Sequence, residues 1–226
     1  MPGIIQARGF DVTEARAHLA RRDRRFARWL DRIDPIRPEP RWFAEFDPVD
    51  ALARSICYQQ LSGKAASTIV ARLEQALGTD RLHAAALDRC DDATLRACGL
   101  SGNKLRALRD LAEHERGGAI PSVADMATMS DQAIIDALIR VRGIGRWTVE
   151  MLLIFRLGRP DVLPIDDLGV RKGTRHVDGL DEVPTPKALV IRGQRWAPWR
   201  SYAAMALWRI ADLGGGAATG VKRSQD

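Results

Sequence analysis

The sequence contains few cysteines. Its 226 residues include three, Cys57, Cys90 and Cys98, an odd number with no Cys-x-x-Cys pair. This argues against a disulfide framework, a zinc site and a cysteine-ligated iron–sulfur cluster. The four histidines are scattered without metal-ligand spacing, so we expect none of them to be catalytic.

Long hydrophobic runs are also missing. No apolar stretch approaches the roughly 20 residues that span a bilayer, and the first residues lack the apolar core of a signal peptide. We therefore expect a soluble intracellular protein, in the cytoplasm or another compartment inside the cell, with no membrane partner. A hydrophobic content of 46% is typical of a globular chain and too high for a disordered one.

Charge of one sign is only slightly in excess. The chain carries 35 basic and 29 acidic residues, a net charge of +6, and residues 151–226 hold 12 of the basic and 8 of the acidic ones. Thirty of the basic residues are arginine, whose planar guanidinium can grip phosphate with two hydrogen bonds. So small an excess is weak evidence for a nucleic-acid partner, and charge balance does not decide the function.

Helix signals follow one another along the chain, and no segment shows the period-two pattern of a strand. Apolar spacing predicts one helix over residues 13–32. Later helices have suitable N-cap residues at Asp47, Ser62, Ser101 and Ser130. We predict an all-α fold of about ten helices. Its predicted organisation is a helix and linker over residues 1–45, a core over 46–212 and a disordered tail over 213–226.

The most informative motif is Gly143-Ile144-Gly145, which separates two predicted helices. This pattern indicates a helix-hairpin-helix, and we call the Gly-Ile-Gly turn with its two helices the hairpin. Glycine permits positive φ and a close backbone approach, and the N–H groups that open the second helix can bind an anion such as phosphate. Ile144 can anchor the turn from inside. The alternative is an ordinary turn between packed helices. Three backbone carbonyls can also hold a structural monovalent cation such as Na⁺ or K⁺: those of Ile139, Val141 and Gly143.

Two aspartates, Asp166 and Asp167, follow Pro164 about twenty residues beyond the hairpin and open a short basic helix. Aspartate is a favoured N-cap and suits the helix dipole, so the pair can be purely structural. Taken with a phosphate-binding hairpin, however, the pair is better explained as part of a functional site.

Three segments in order, GIGRWT, LGRPDVLPIDDLGVRKG and RWAPWRSYAAMALWR, resemble the helix-hairpin-helix DNA glycosylase superfamily. Within it, the chain is most similar to the AlkA-type 3-methyladenine DNA glycosylase II family. The resemblance runs over about residues 45–212 and includes SICYQQLSGKAAS and ACGLSGNKLRALRDLA. It implies an all-α fold in which two helical subdomains flank a DNA-binding cleft. The N-terminal β-rich domain of longer AlkA proteins has no counterpart here, so we expect a compact form.

The resemblance also implies roles for the two aspartates. The family's catalytic aspartate lies twenty positions after the hairpin tryptophan, which from Trp147 is Asp167, and Asp166 is then a capping or orienting neighbour. A fixed carboxylate stabilises the oxocarbenium-like sugar that forms as the glycosidic bond breaks, and it can orient the attacking water. Strand-cutting relatives carry a lysine nucleophile at the position of Trp147. We therefore expect a monofunctional enzyme.

A base that is rotated out of the duplex needs a pocket. By resemblance, Trp147 and Trp208 match aromatic walls of that pocket, and their π faces suit a cationic purine. Met151 stands where the family pattern has a tyrosine, and Arg209 replaces a second aromatic, which puts the breadth of the substrate range in question. Trp208 can alternatively be a core residue.

DNA contacts are expected in the turn YQQLSGK and beside the hairpin. By alignment Gln60 takes the position of the residue that intercalates into the duplex, with Leu61 as second choice. Gln59 and Gln60 can alternatively make hydrogen bonds between helices, and Lys104 can be a solvated surface charge. The further candidate DNA contacts are Lys64, Lys104, Gly143, Ile144, Gly145, Arg146 and Arg200.

The resemblance thus implies a monofunctional DNA glycosylase of base excision repair that releases 3-methyladenine, 7-methylguanine or ethenoadenine. Its partner would be double-stranded DNA with a damaged base. We expect a monomer that requires no cofactor. One alternative is a glycosylase for oxidised or deaminated bases, which the missing lysine and the missing iron–sulfur loop disfavour. The other is a non-catalytic hairpin protein that binds damaged DNA.

Overall fold

The computed structural model describes residues 8–214, which form thirteen α-helices and two short 3₁₀ helices with no strand in that range. The α-helices are α1 (Val12–Arg22), α2 (Arg24–Leu30), α3 (Pro48–Tyr58), α4 (Gly63–Leu77), α5 (Ala84–Leu87), α6 (Asp92–Ala97), α7 (Gly102–Arg116), α8 (Val123–Thr128), α9 (Asp131–Leu138), α10 (Arg146–Phe155), α11 (Leu168–Asp178), α12 (Pro186–Gly193) and α13 (Arg200–Gly214). The predicted all-α class is confirmed. The count exceeds ten because the predicted helix over residues 13–32 is two helices and because α5, α6 and α8, of four to six residues each, are too short for periodicity to reveal.

Side-chain caps fix the start of the longer helices where the sequence predicted them. The hydroxyl of Ser62 accepts a hydrogen bond from the third residue of α4, and Ser101 and Ser130 do the same for α7 and α9. Asp47 caps α3, which carries Pro48 in its first position. Four of the helix boundaries therefore follow directly from local side-chain chemistry.

The prediction of one helix over residues 13–32 is wrong, because the helix is interrupted at Asp23. This residue has extended backbone angles, with φ −143° and ψ 93°, and separates α1 from α2. Its carboxylate caps α2 through the N–H of Phe26 and also accepts the indole N–H of Trp196 at 2.9 Å. Arg192 forms an ion pair with the same carboxylate. A long-range polar contact therefore overrides the local helical pattern.

The described residues divide into two compact units, each made of two parts of the chain. The first unit holds Arg8 and Phe43–Arg156, and so contains α3–α10. The second holds Gly9–Trp42 and residues 157–214, and so contains α1, α2 and α11–α13. Within the predicted disordered tail, residues 213 and 214 end α13, and residues 215–226 lie outside the described residues.

Each unit has its own apolar core. In the first, α3, α5 and α6 pack on α7, whose Leu105, Leu108 and Leu111 are buried. In the second, α11 packs along α13, and α1 and α2 pack against that pair. All three cysteines are free thiols. None of the described helices has the length and apolar character of a membrane span.

Candidate DNA-binding and catalytic site

The hairpin lies in the first unit, between α9 and α10. The N–H of Val141 donates to the carbonyl of Leu138 at 3.1 Å, and the N–H of Ile144 donates to Val141 at 3.0 Å. Gly143 has φ +79°, a left-handed conformation that glycine adopts without steric cost. Ile144 is buried, as expected for an anchor of the turn. It therefore holds the loop from inside and does not lie on its surface.

The second hairpin helix, α10, begins at Arg146 with Gly145 as its N-cap. Glycine has no side chain to cap the first turn, so the backbone N–H groups there are not covered from the N-cap position. Together with the helix dipole, this arrangement suits an incoming phosphate.

The three carbonyls predicted to hold a cation have suitable chemistry. Val141 and Gly143 each use their carbonyl oxygen as an acceptor, from the N–H of Ile144 and from Nε2 of Gln59 respectively. A carbonyl oxygen has a second lone pair that such a bond leaves available. Ile139 is the C-cap of α9, where carbonyls lack helical partners. Neutral oxygen donors of this kind fit Na⁺ or K⁺.

The predicted intercalating turn follows α3. Gln60 has φ +58°, an unusual left-handed conformation for a side chain of this size. Gln60 is exposed, and Leu61 is 41% exposed, so both can reach a partner outside the unit. Gln59 behaves differently, because its Nε2 donates to the carbonyl of Gly143 at 2.8 Å. The hydrogen-bonding alternative therefore describes Gln59, whereas Gln60 and Leu61 face outward.

Several basic candidates have acceptors inside the protein. Lys104 donates from Nζ to the carbonyl of Cys57 at 2.6 Å, and partial burial lowers the pKa of Lys104. Arg146 pairs with Glu150 at 3.0 Å. Arg200 makes two hydrogen bonds to Asp161, at 2.6 and 2.8 Å. These side chains position backbone and neighbouring groups. Lys64 lies exposed near the start of α4.

Trp147 and Met151 lie four residues apart on α10, so they share one face of that helix. Trp147 is 50% exposed, and Met151 is partly exposed. An indole this accessible, on the helix that opens at the hairpin, suits stacking on a base.

The second unit holds both aspartates. Asp167 is the N-cap of α11, and its Oδ1 accepts the N–H of Val170 at 2.8 Å. The same oxygen accepts the indole N–H of Trp208, also at 2.8 Å. Asp167 is half-buried whereas Asp166 is exposed. Two donors therefore fix the Asp167 carboxylate, as a preorganised charge would require.

Trp208 is accordingly a partner of the carboxylate as well as a candidate pocket wall. It reaches Asp167 from α13 because Gly169, in the first turn of α11, leaves room for the ring. A Cβ at Gly169 would lie 2.7 Å from the indole of Trp208 and 3.1 Å from Asp167. The motif DDLGV thus combines a cap, a carboxylate and a gap for an aromatic ring.

Two contacts in the first unit were not predicted. The carboxylate of Asp110 on α7 accepts the backbone N–H of Arg142 at 2.7 Å, and Gly143 packs against the methyl group of Ala107. Neither contact has a sequence signal, because Asp110 and Ala107 read as ordinary residues of an amphipathic helix. They come to the hairpin through tertiary packing alone.

Residues 53–198 match a known protein family. A family model described as HhH-GPD superfamily base excision DNA repair protein matches residues 53–198. The chain belongs to this superfamily. The match includes the turn, the hairpin and both aspartates, and it confirms the resemblance that the sequence motifs indicated.

Individual relatives of the superfamily agree. DNA-3-methyladenine glycosylase 1 of Schizosaccharomyces pombe is 36% identical over 203 residues, 89% of each chain. The structure of S. pombe Mag1, a 3-methyladenine DNA glycosylase in complex with abasic DNA, matches with a TM-score of 0.76 at 34% identity, covering 92% of this chain and 99% of that one. A DNA-3-methyladenine glycosidase from Bacillus halodurans matches with a TM-score of 0.79 at 32% identity, covering 89% and 90%. The chain therefore spans nearly the full length of these proteins.

Proposed function

We propose that this member of the superfamily is a monofunctional DNA glycosylase that hydrolyses the N-glycosidic bond of alkylated purines in double-stranded DNA. The observation that carries the proposal is the carboxylate of Asp167, which two N–H donors hold at the start of α11. The names of the relatives support 3-methyladenine as a substrate. 7-Methylguanine carries the same positive charge as 3-methyladenine, whereas ethenoadenine is a neutral adduct that would have to be protonated before it leaves.

In the proposed mechanism, Asp167 acts on the sugar. As the C1′–N bond breaks, its electron pair moves to the base and neutralises the positive charge that alkylation placed there. The sugar becomes oxocarbenium-like, and the fixed carboxylate stabilises that charge. Water that Asp167 orients then attacks C1′ and gives its proton to the Asp167 carboxylate, which passes the proton to solvent and leaves an abasic site. An alkylated purine needs little acid assistance, so Asp167 requires no general-acid partner.

The absence of an amine on the hairpin helix supports the monofunctional proposal. Strand cleavage by this class of enzyme proceeds through a Schiff base with a lysine. The corresponding position is Trp147, whose indole cannot form one. The product should therefore be an intact abasic strand.

The remaining groups would bind and open the DNA. We propose that the first turn of α10 takes a phosphate, with a Na⁺ or K⁺ ion held by the carbonyls of Ile139, Val141 and Gly143. Gln60 would enter the base stack, and Trp147 and Met151 would contact the extruded base. No group in this scheme needs a second copy of the chain, so the proposed enzyme acts on DNA as a monomer.

The test is base release from methylated DNA, measured by chromatography under single-turnover conditions. Asp167→Asn should lower the rate by at least roughly 100-fold, because it removes the negative charge and keeps the shape. Asp166→Asn should have a smaller effect. Asp181→Asn, an exposed acid beyond the end of α11, is the matched control and should leave the rate unchanged.

Four outcomes would count against the proposal. Full activity of Asp167→Asn would remove that residue from the mechanism. Release of only oxidised or deaminated bases from a panel of single-lesion duplexes would favour the other glycosylase class. Tight binding to every lesion duplex without any release would favour a non-catalytic damage-binding protein. Strand cleavage by β-elimination would contradict monofunctional action.

A further inference from the structure

We propose that Gln59 is a positioning residue that locks the intercalating turn, residues 58–62, to the hairpin loop, residues 139–146. The inference rests on the proposed function, because it assigns the turn to base extrusion and the loop to phosphate binding. The hydrogen bond of Gln59 would make the turn and the loop, which are 84 residues apart in sequence, move together as one rigid group.

The direct link is a single neutral hydrogen bond. Nε2 of Gln59 donates to the carbonyl oxygen of Gly143 at 2.8 Å. Gly143 is the residue whose positive φ shapes the loop, and Gln60, next to the donor, is the residue whose positive φ shapes the turn. The bond therefore joins the backbone of Gly143 to the side chain of the residue that directly precedes Gln60.

Helix α7 supplies a second link between the same two segments. Near its start, Lys104 donates to the carbonyl of Cys57 at 2.6 Å and so fixes the end of α3, which leads into the turn. Further along, Asp110 accepts the N–H of Arg142 at 2.7 Å, and Ala107 packs on Gly143. These three α7 residues are three positions apart and so lie on one side of the helix. Turn, loop and α7 form a closed triangle of contacts.

This triangle has a mechanical purpose in the proposed reaction. Pushing a base out of the stack costs a few kcal/mol of unstacking and unpairing. The turn can displace a base only if it is held rigidly to a part of the protein that is itself bound to the DNA. The loop proposed to bind phosphate is such a part. The left-handed backbone at Gln60 is itself unfavourable, by about 1 kcal/mol. Without Gln59, the turn would relax more readily when it meets the stacked bases.

The first experiment uses the free protein, where contact with DNA plays no part. Gln59→Met removes the donor at similar length, and Gln59→Glu replaces it with an acceptor that repels the Gly143 carbonyl. Gln75→Met, the same change at an exposed site on α4, is the control. Hydrogen exchange measured by mass spectrometry should accelerate about fivefold or more in residues 139–146 of both Gln59 variants, the effect of losing one hydrogen bond. Unchanged exchange in both variants would overturn the proposal.

The second experiment separates positioning from a direct DNA contact. Affinity for undamaged duplex should stay within about twofold in Gln59→Met, because backbone N–H groups grip the phosphate. Single-turnover base release should fall roughly tenfold or more, as expected for a misplaced group, and 2-aminopurine fluorescence beside the lesion should report less extrusion. A parallel loss of affinity and rate with normal exchange would assign Gln59 to DNA contact and overturn the proposal. If the wild type releases no base, the proposed function fails, while the exchange experiment still decides the role of Gln59.

Discussion

At the scale of single residues, the Asp167 carboxylate takes part in two distinct interactions: it caps helix α11, and it is oriented by the indole of Trp208. Its Oδ1 accepts from the backbone of Val170 and from the indole of Trp208. The first bond is the ordinary cap of a helix, and the second reaches 41 residues along the chain. The indole thus orients the carboxylate whatever its role toward the base.

We predict that Trp208→Phe lowers the single-turnover rate of base release by about tenfold, with little change in affinity for undamaged DNA. Phenylalanine keeps an aromatic face but cannot donate to Asp167, so the carboxylate loses one of its two fixed donors. Trp29→Phe, on α2, serves as the control. An unchanged rate in Trp208→Phe would show that the indole N–H has no part in placing the carboxylate.

Some site residues could be predicted from local sequence features, whereas the contacts of others depend on tertiary packing. The place of Asp167 at the start of α11 was predictable because an aspartate shortly after Pro164 is a local cap signal, whereas its catalytic role was implied by the family resemblance and stays a prediction. For Gln59 the sequence left two alternatives, because the amide of a glutamine in a turn can form hydrogen bonds equally well with DNA or with the protein backbone. Lys104 was predicted as a DNA contact, but its Nζ reaches the carbonyl of Cys57, and only the packing of α7 on α3 brings them together.

At the scale of elements, the contact between α11 and α13 supports the carboxylate. Gly173 on α11 lies directly against the backbone of Leu207 on α13, where an added Cβ would sit 2.1 Å from the carbonyl oxygen. Because Trp208 follows Leu207, any separation of the helices also moves the indole from Asp167. Close helix packing therefore becomes a condition for the geometry of the site.

We predict that Gly173→Ala destabilises the protein by about 1–3 kcal/mol, the usual cost of overpacking a tight contact. The measurement is chemical denaturation followed by circular dichroism. Gly63→Ala is a suitable comparison, since it places the same methyl group in open space on α4. Equal stability of both variants would mean that α11 and α13 can separate at little cost.

The break between α1 and α2 is the clearest case of an element that sequence could not define. Asp23 is 2% exposed and accepts from Phe26, Trp196 and Arg192, two of which are distant in sequence. Burial alone would raise its pKa, but the hydrogen bonds from Arg192 and Trp196 outweigh burial and lower it. By contrast, the start of α4 was predictable because Ser62 caps it locally.

We predict that Asp23→Asn lowers the free energy of unfolding by about 2 kcal/mol at pH 7, because it removes one of the two carboxylates that pair with Arg192, while Asp178 keeps its two hydrogen bonds to the guanidinium. The folded-state pKa of Asp23 lies below the unfolded value of about 3.9. Its stabilising effect is thus present above that value and lost as the pH falls through the folded-state pKa. Urea titrations should show wild type and variant converging below about pH 4. Asp31→Asn, in an exposed ion pair, should cost under about 1 kcal/mol.

At the scale of the whole molecule, the count of 35 basic residues overstates the number of cations that are available to contact phosphate. Arg146 and Arg200 pair with acids of the same chain, and Lys104 donates to a backbone carbonyl. Phosphate binding would then depend mainly on backbone N–H groups at the start of α10, which carry no formal charge. This explains why charge balance said so little about function.

We predict a shallow salt dependence of DNA binding. Each phosphate neutralised by a basic side chain contributes about −0.9 to the slope of log affinity against log salt concentration. With few basic groups engaged, the slope should lie near −2 to −4, measured by fluorescence anisotropy in increasing KCl. A slope steeper than about −6 would require a larger cationic surface than the predicted contacts provide.

The division of the chain into two units also sets an order of events during synthesis. The first unit is complete once residue 156 has been made, so the turn and the hairpin can form early. Helices α1 and α2 are made before it but wait for α11–α13, and Asp23 meets Trp196 across 173 residues. A nascent chain halted before α13 would hold the turn and the hairpin proposed to bind DNA, but its Asp167 would lack the hydrogen bond from Trp208. We therefore expect the elements proposed to bind DNA to fold first during synthesis, and the proposed catalytic carboxylate to reach its final geometry last.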